Sequence, residues 1–354
     1  MTVSATWPAI LGKLIAKNDL DRGEASWAMS QIMSGEATEG QIGAFMMALR
    51  SKGESVDELS GLVDVMLQNS VILDTGSDAV DIVGTGGDMV GTVNVSTMAS
   101  VVASALIPVM KHGSRSASGR TGSSEMLEVL GVRLDLSPER VAQVFSETGI
   151  TFFFAPVFHP AMRHVAPIRK QLGIPTTFNF LGPLANPAQP IATSLGVANG
   201  AVAPLMAAEL AARGRAGLVF RGDDGLDELT TTGPSTIWQV SGGEVHELRL
   251  DPADLGIERA LLEELIGGDA HENAQVAKAL FANEDSPRLA RVRDIVLLNV
   301  AGALVAYRLA KNPATASEPI LDRFAAALAE ARVALESGAA ARQLTKWLDA
   351  SQLD

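Results

Sequence analysis

The chain of 354 residues contains no cysteine, so disulfides, thiolate metal sites and cysteine nucleophiles are excluded, and a cytoplasmic home is expected. Basic charge is also scarce: 28 Lys and Arg against 41 Asp and Glu leave a net charge of −13. A nucleic-acid backbone would meet a mostly acidic surface, so nucleic acid is not an expected partner, and any phosphate must be held by local basic residues. Met1-Thr-Val-Ser-Ala-Thr-Trp7 lacks the charged and apolar regions of a secretory leader. The longest apolar stretches, 98–110 and 295–309, are too short for a membrane span or carry a polar interruption, so no membrane partner is expected. Two familiar phosphate signatures are missing as well. Gly87 is followed by Asp88 where Walker A needs lysine, and Met89 stands where the dinucleotide fingerprint needs its third glycine. No histidine pair has metal-ligand spacing, and no Ser/His/Asp arrangement is supported, so covalent catalysis is not expected. Internal repeats, low-complexity segments and long Pro/Gly/Ser linkers are absent too.

What is present is enough apolar sequence, 47%, for a large domain and a smaller one. Up to about residue 75 the pattern is helical, with Ile10, Leu11, Leu14 and Ile15, then Ile42, Phe45, Met46 and Leu49, at three and four spacings. After Asp78 short β-rich runs at 80–83, 108–111, 152–154, 217–220 and 236–240 alternate with helices, one of them opened by Ser137-Pro138. The expected fold is therefore α/β: an all-helical domain over 1–75, joined by a segment near 168–190, and an α/β domain over 76–354 with a central, mostly parallel sheet flanked by helices. The alanine-rich 323–341 reads as a surface helix pair. The junction near Thr75-Gly-Ser77 is short, so any domain motion is expected to be a hinge.

The chemistry concentrates in three segments. Asp81-Ile-Val-Gly-Thr-Gly-Gly-Asp88 ends an apolar run in glycines whose N–H groups can approach an anion, and the helix read over 98–110, introduced by Asn94-Val-Ser-Thr97, would point its N-terminus at the same anion. Lys111-His-Gly-Ser-Arg-Ser-Ala-Ser-Gly-Arg-Thr-Gly122 sets Lys111, Arg115 and Arg120 among hydroxyls in a second anion loop. Gly222-Asp-Asp-Gly-Leu-Asp-Glu228 groups four acids at a strand end, which suits Mg²⁺ bridging to substrate phosphates. Arg169 offers a planar fork for a carboxylate, and His112, His159 and His164 read as wall residues.

Taken in order, Gly84-Thr-Gly-Gly-Asp88, Asn94-Val-Ser-Thr97, Lys111-His-Gly113, Phe178-Asn-Phe-Leu-Gly-Pro-Leu-Ala-Asn-Pro187 and Gly225-Leu-Asp-Glu228 closely resemble the anthranilate phosphoribosyltransferases of tryptophan biosynthesis. The likeness extends to Gln41-Ile-Gly-Ala-Phe45 and Leu298-Asn-Val300. It implies Mg²⁺-dependent transfer of phosphoribosyl from phosphoribosyl pyrophosphate to anthranilate, a pair of Mg²⁺ ions per subunit, and a homodimer through the helical domain. By position it assigns Gly84, Gly87, Asp88, Thr92, Asn94, Val95, Ser96, Thr97, Lys111, His112, Gly113, Ser114, Arg115, Ser116, Ala117, Ser118, Gly119 and Ser123 to phosphoribosyl pyrophosphate. It assigns Gly84, Ser114 and Arg169 to anthranilate, and Ser96, Asp227 and Glu228 to the metal. Lys111, Asp227 and Glu228 are the expected catalytic residues. Ser114 departs from the usual asparagine of that family, and its hydroxyl reaches less far and donates one hydrogen bond rather than two. Two alternatives stay open: a pyrimidine nucleoside phosphorylase, faintly suggested by Ser118-Gly-Arg-Thr-Gly122, and a non-catalytic regulator that binds a phosphometabolite.

Overall fold

The structure, a computed structural model, describes residues 5–73, 75–115 and 121–353. It separates into two compact units, Met1–Ile72 with Ala155–Pro187, and Leu73–Phe154 with Ala188–Asp354.

The first unit begins with α1 (Trp7–Ile15), α2 (Arg22–Met33), α3 (Glu39–Lys52) and α4 (Val56–Gln68). Three of these helices start the same way. Asp21, Thr38 and Ser55 each accept the N–H three residues on, and Glu24, Gln41 and Glu58 reach back to the cap. Each N-cap side chain stabilises its helix by about 1 kcal/mol, which fixes where these short helices begin. Their apolar faces, including Ile10, Leu14, Met29, Ile32, Phe45, Met46 and Leu49, form the core of the unit.

In the second unit β1 (Val80–Gly84), α5 (Val95–Ala103), β2 (Val109–Gly113), α6 (Ser123–Leu130), α7 (Pro138–Thr148) and β3 (Ile150–Phe154) alternate. The chain then contributes α8 (Ala155–Phe158) and α9 (Ala166–Leu172) to the first unit. It returns with β4 (Ala192–Gly196), α10 (Ala203–Ala212), β5 (Ala216–Gly222), β6 (Ser235–Ser241) and β7 (Glu244–Leu250). Helices α11 (Leu262–Leu265), α12 (Ala270–Phe281), α13 (Pro287–Lys311), α14 (Ile320–Glu336) and α15 (Ala339–Gln352) complete it. The seven strands form one sheet in the order β3-β2-β1-β4-β5-β6-β7, parallel from β3 to β5 and antiparallel beyond. From β1 the chain moves outward to β2 on one side and later to β4 on the other. The carboxyl ends of β1 and β4 are thus a topological switch point, where ligands of open α/β sheets collect.

Local reading from the sequence holds in some places and fails in others. Ser137 caps α7 through the Arg140 N–H at 3.3 Å with Pro138 at the first helical position, as expected. The helix read over 98–110 stops at Ala103, because Pro108 and the strand that follows it cannot continue a helix. The expected surface pair near 323–341 is only partly at the surface: α14 buries Phe324, Leu328 and Leu335 with the alanines Ala327, Ala331 and Ala334 against its neighbours, α13 among them. Among the described residues no helix is long and apolar enough to cross a membrane.

Candidate active site

Gly84 and Gly196 end β1 and β4 side by side in register. Neither could carry a side chain, because an added Cβ on Gly84 would overlap the Asp227 carboxylate and one on Gly196 the Asp227 carbonyl. The turn that follows β5 therefore lies directly over the switch point. Gly86 and Gly87 hold left-handed φ angles of 66° and 84°, and the Gly86 N–H donates to Asp227 Oδ2 at 2.7 Å. Glu228 in turn accepts a backbone N–H from Ser96, in the first turn of α5. The glycine loop and the helix start, both expected to face a free anion, each already give an N–H to a carboxylate of this chain.

That arrangement sets the electrostatics. Burial and the neighbouring Asp88 charge push the Asp227 carboxyl up to about 7, against the Gly86 hydrogen bond, and Asp88 lies within hydrogen-bonding reach of it. Burial and the Asp227 charge hold Glu228 well above the carboxylate range, with Lys111 pulling the other way. The Lys111 ammonium, 2% exposed, donates to the Ile82 carbonyl at 2.6 Å and to Ser96 Oγ at 3.2 Å. Burial lowers its pKa although Asp81, Glu228 and Asp227 raise it. Beside it, β1 and β2 share only the pair Val80 and Val109, and side chains take over the ladder: Ile82 bonds Lys111 and the Asp81 carboxylate accepts the His112 N–H at 3.1 Å.

Buried carboxylates that crowd one another call for a cation. Among the described residues no three His, Cys, Asp or Glu side chains form a ready-made metal cage, yet the Asp88 charge acts on Asp227 and both act on Glu228. The two findings are compatible, because Mg²⁺ keeps several waters and takes substrate oxygens, so one or two carboxylates suffice. The donor set of Asp227, Glu228 and the Ser96 hydroxyl fits such an ion. Of the four acids grouped by sequence, the other two turn away. Asp223 pairs with Arg249, and Asp224 accepts the Thr230 and Thr232 hydroxyls at 2.6 and 2.5 Å and the Leu226 N–H at 3.1 Å, which shapes the turn rather than serving an ion.

The remaining expected residues divide. Asn94 is engaged within the fold: it donates to the Thr121 carbonyl at 3.2 Å and accepts from Asn273 at 2.8 Å. Thr92 bridges to Ile266, Val95 is buried in α5, and the Thr97 hydroxyl is buried with no partner among the described residues. Gly113 makes room for Ser123, whose hydroxyl donates to the Ser114 carbonyl at 3.4 Å. Arg115 pairs with Glu128 at 2.9 Å and lies 5.8 Å from the Phe154 ring centre. Ser116, Ala117, Ser118, Gly119 and Arg120 lie outside the described residues. Arg169, on α9 of the first unit, is half-buried with no carboxylate partner among the described residues, and burial lowers its pKa. Sequence reading gave no role to Gly196, Asn273 or Asn299. For Asn299 the signal was a lone amide inside a long apolar helical run; Asn273, beside His271, Glu272 and Gln275, offered none.

This architecture and site are those of a glycosyl transferase family, whose a/b-domain model matches residues 76–341 and whose helical-bundle model matches residues 8–70. Within it, the chain belongs to the anthranilate phosphoribosyltransferases. It is 52% identical over 353 residues to the anthranilate phosphoribosyltransferase of Leifsonia xyli, covering 99% of this chain and 100% of that one. Among solved structures it is similar to the Thermus thermophilus anthranilate phosphoribosyltransferase, with 37% identity, 97% and 99% of the two chains covered and a TM-score of 0.86. It is also similar to the Saccharomyces cerevisiae enzyme in complex with phosphoribosyl pyrophosphate and Mg, with 27% identity, 99% of both chains covered and a TM-score of 0.84. Neither the phosphorylase nor the regulator alternative finds support in these relatives.

Proposed function

We propose that the site at the ends of β1 and β4 transfers the phosphoribosyl group of phosphoribosyl pyrophosphate to the amine of anthranilate, serving tryptophan biosynthesis. The observation that carries this reading is the crowding of acid at the switch point, buried Asp227 with half-buried Asp88 and Glu228 around Gly86 and Ser96. In this reading the C1–N bond forms as the C1–O bond to pyrophosphate breaks, and the nitrogen then sheds its extra proton. No protein nucleophile takes part. The free loop N–H groups of 84–88, the Thr97 hydroxyl and the loop 111–119 with Ser123 hold the phosphate groups. The buried Lys111 ammonium stabilises the charge that develops on the leaving oxygen's side of the site. Asp227, Glu228 and Ser96 would hold a pair of Mg²⁺ ions, which stabilise the pyrophosphate charge when bound. Arg169, half-buried without a carboxylate of its own, receives the anthranilate carboxylate, and Ser114 and Gly84 border its ring. Residues 1–75, joined by the segment near 168–190, act as the helical domain and the rest of 76–354 as the phosphoribosyl domain, in a cytoplasmic homodimer joined through the helical one.

Loss of anthranilate fluorescence with phosphoribosyl pyrophosphate and Mg²⁺ tests the reading, with the native chain run beside Ser114→Asn. Turnover is expected in both. The asparagine is expected to lower the anthranilate KM by about three- to tenfold, one added hydrogen bond of about 0.5–1.5 kcal/mol. A native chain with no Mg²⁺-dependent release of pyrophosphate would overturn it.

A further inference from the structure

We propose that Asn299, in the middle of α13, is the positioning residue that fixes the Asp227 and Glu228 carboxylates at the switch point. Its side chain is 1% exposed. Oδ1 accepts the Leu229 N–H at 3.0 Å, while Nδ2 donates to the Leu229 carbonyl and to the Ile295 carbonyl, both at 2.9 Å. Only the amide oxygen can accept from an N–H and only the amide nitrogen can donate to two carbonyls, so these partners fix the orientation of the group. The bond to Ile295, one turn back, also locks the side chain to its own helix. Asn299 thus pairs with both backbone groups of Leu229 as a neighbouring strand would, although the turn after β5 has no strand beside it at that point.

Leu229 directly follows Glu228, and it is held a second time. An added Cβ on Gly302, three residues further along the same helix, would lie 2.7 Å from Leu229 Cδ1. The helix surface therefore takes the Leu229 side chain at Gly302 and its peptide groups at Asn299. On the other flank the Asp227 carbonyl lies against Gly196. The two acids sit between fixed points, so Asn299 acts on them through one peptide unit. The two carboxylates would otherwise relax apart, since burial penalises the ionised form of each, the Asp88 charge that of Asp227 and the Asp227 charge that of Glu228. The inference rests on Asp227 and Glu228 being the cation-holding pair proposed above.

The test uses the full-length Asn299→Asp chain, close in shape but unable to donate to the two carbonyls when ionised, and Asn299→Ser, which keeps a hydroxyl should the first aggregate. Three quantities are read: Mn²⁺ binding by electron paramagnetic resonance with phosphoribosyl pyrophosphate present, the Mg²⁺ concentration at half-maximal rate, and deuterium uptake of the peptide spanning Leu229. Partners that orient metal ligands change affinity or rate by about 10- to 100-fold when removed. The expected result is a loss of that size in Mn²⁺ affinity, a parallel rise in the Mg²⁺ requirement, an unchanged anthranilate KM, and faster exchange at Leu229. A lower unfolding midpoint with Mn²⁺ affinity and Mg²⁺ requirement at native values would overturn the proposal and leave Asn299 a purely structural residue. A native chain that neither turns over nor binds Mn²⁺ would overturn the functional reading instead. Deuterium uptake then still judges the clamp, which fails if Leu229 exchanges equally in the native and Asn299→Ser chains, since serine is too short to accept the Leu229 N–H.

Discussion

The two units bury charge in opposite ways. In the helical unit Glu58 is fully buried, but it accepts the Leu20 N–H at 2.9 Å, the Ser55 N–H at 2.8 Å and the Lys52 ammonium at 2.9 Å. Burial alone would lower the Lys52 pKa, yet hydrogen bonds to Asp19 and Glu58 raise it, so the ion pair is complete within the unit. Glu54 is likewise served by Thr177 at 2.6 Å and Arg50 at 3.2 Å. At the switch point of the α/β unit, Asp227 is buried and Glu228 half-buried, but they stand beside Asp88 with like charges close together, and among the described residues the Lys111 ammonium is what opposes them. A buried charge supplied with its partners stabilises a fold. One left among like charges is held ready for something the chain does not itself contain, which is how functional sites come to stand out electrostatically.

The strongest way to break this comparison is to remove one acid from each unit's logic and see which quantity falls. Glu228→Ala is expected to lower kcat by about 10²- to 10³-fold, the usual loss for a group that stabilises developing charge, while the unfolding midpoint stays level or rises as crowding is relieved. Steady-state kinetics beside urea unfolding would show this, and equal losses in both would sink the assignment. Lys52→Met should do the reverse. Leaving Glu58 buried without its cation is expected to cost about 3 kcal/mol of stability with kcat per folded molecule unchanged. The double variant Lys52→Met with Glu58→Gln should recover part of that loss, because the glutamine carbonyl still serves the Ser55 cap while its amide cannot accept the Leu20 N–H as the carboxylate does. A double variant no more stable than Lys52→Met alone would mean that the pair is not what holds α3 to α4.

How much of this was legible in the sequence follows from how far each cause lies along the chain. The glycine run, the Ser137-Pro138 start and the Gly225-Leu-Asp-Glu228 acids are local patterns and were readable. The capping boxes at Asp21, Thr38 and Ser55 were readable in principle as an oxygen side chain answered three residues later by Glu or Gln. Strand β4 was missed although it lies at the centre of the sheet. Its Ala-Thr-Ser-Leu-Gly sequence is buried at every position and uses short side chains so that neighbours can approach closely, which leaves no apolar alternation to detect. Strand β7 was missed for the opposite reason, since its pattern is mostly exposed and charged. That two of four grouped acids turn away to Arg249, Thr230 and Thr232, and that Asn273 takes up Asn94, depends on folding segments together that are distant in the chain.

The smallest expected effect sharpens the comparison through pH. Asp227 has its folded pKa raised, to about 7 from 3.8, so the folded chain keeps a proton that the unfolded chain has lost. Stability from this group is full below pH 3.8 and declines as pH rises toward 7, by about 1.4 kcal/mol per pH unit for one proton. In the helical unit burial holds His159 down to about 4 from 6.5, despite hydrogen bonds to Ala185 and Met66, so its contribution is full above pH 6.5 and falls away as the pH drops toward 4. The two slopes oppose each other in the native chain, and only a difference measurement separates them. Urea unfolding of metal-free native chain and Asp227→Asn at pH 5, 6 and 7 is expected to show the variant gaining on the native chain as pH rises, because it has no proton to lose. Parallel curves would mean that Asp227 ionises in the fold as readily as in water, and the electrostatic contrast between the two units would go with it.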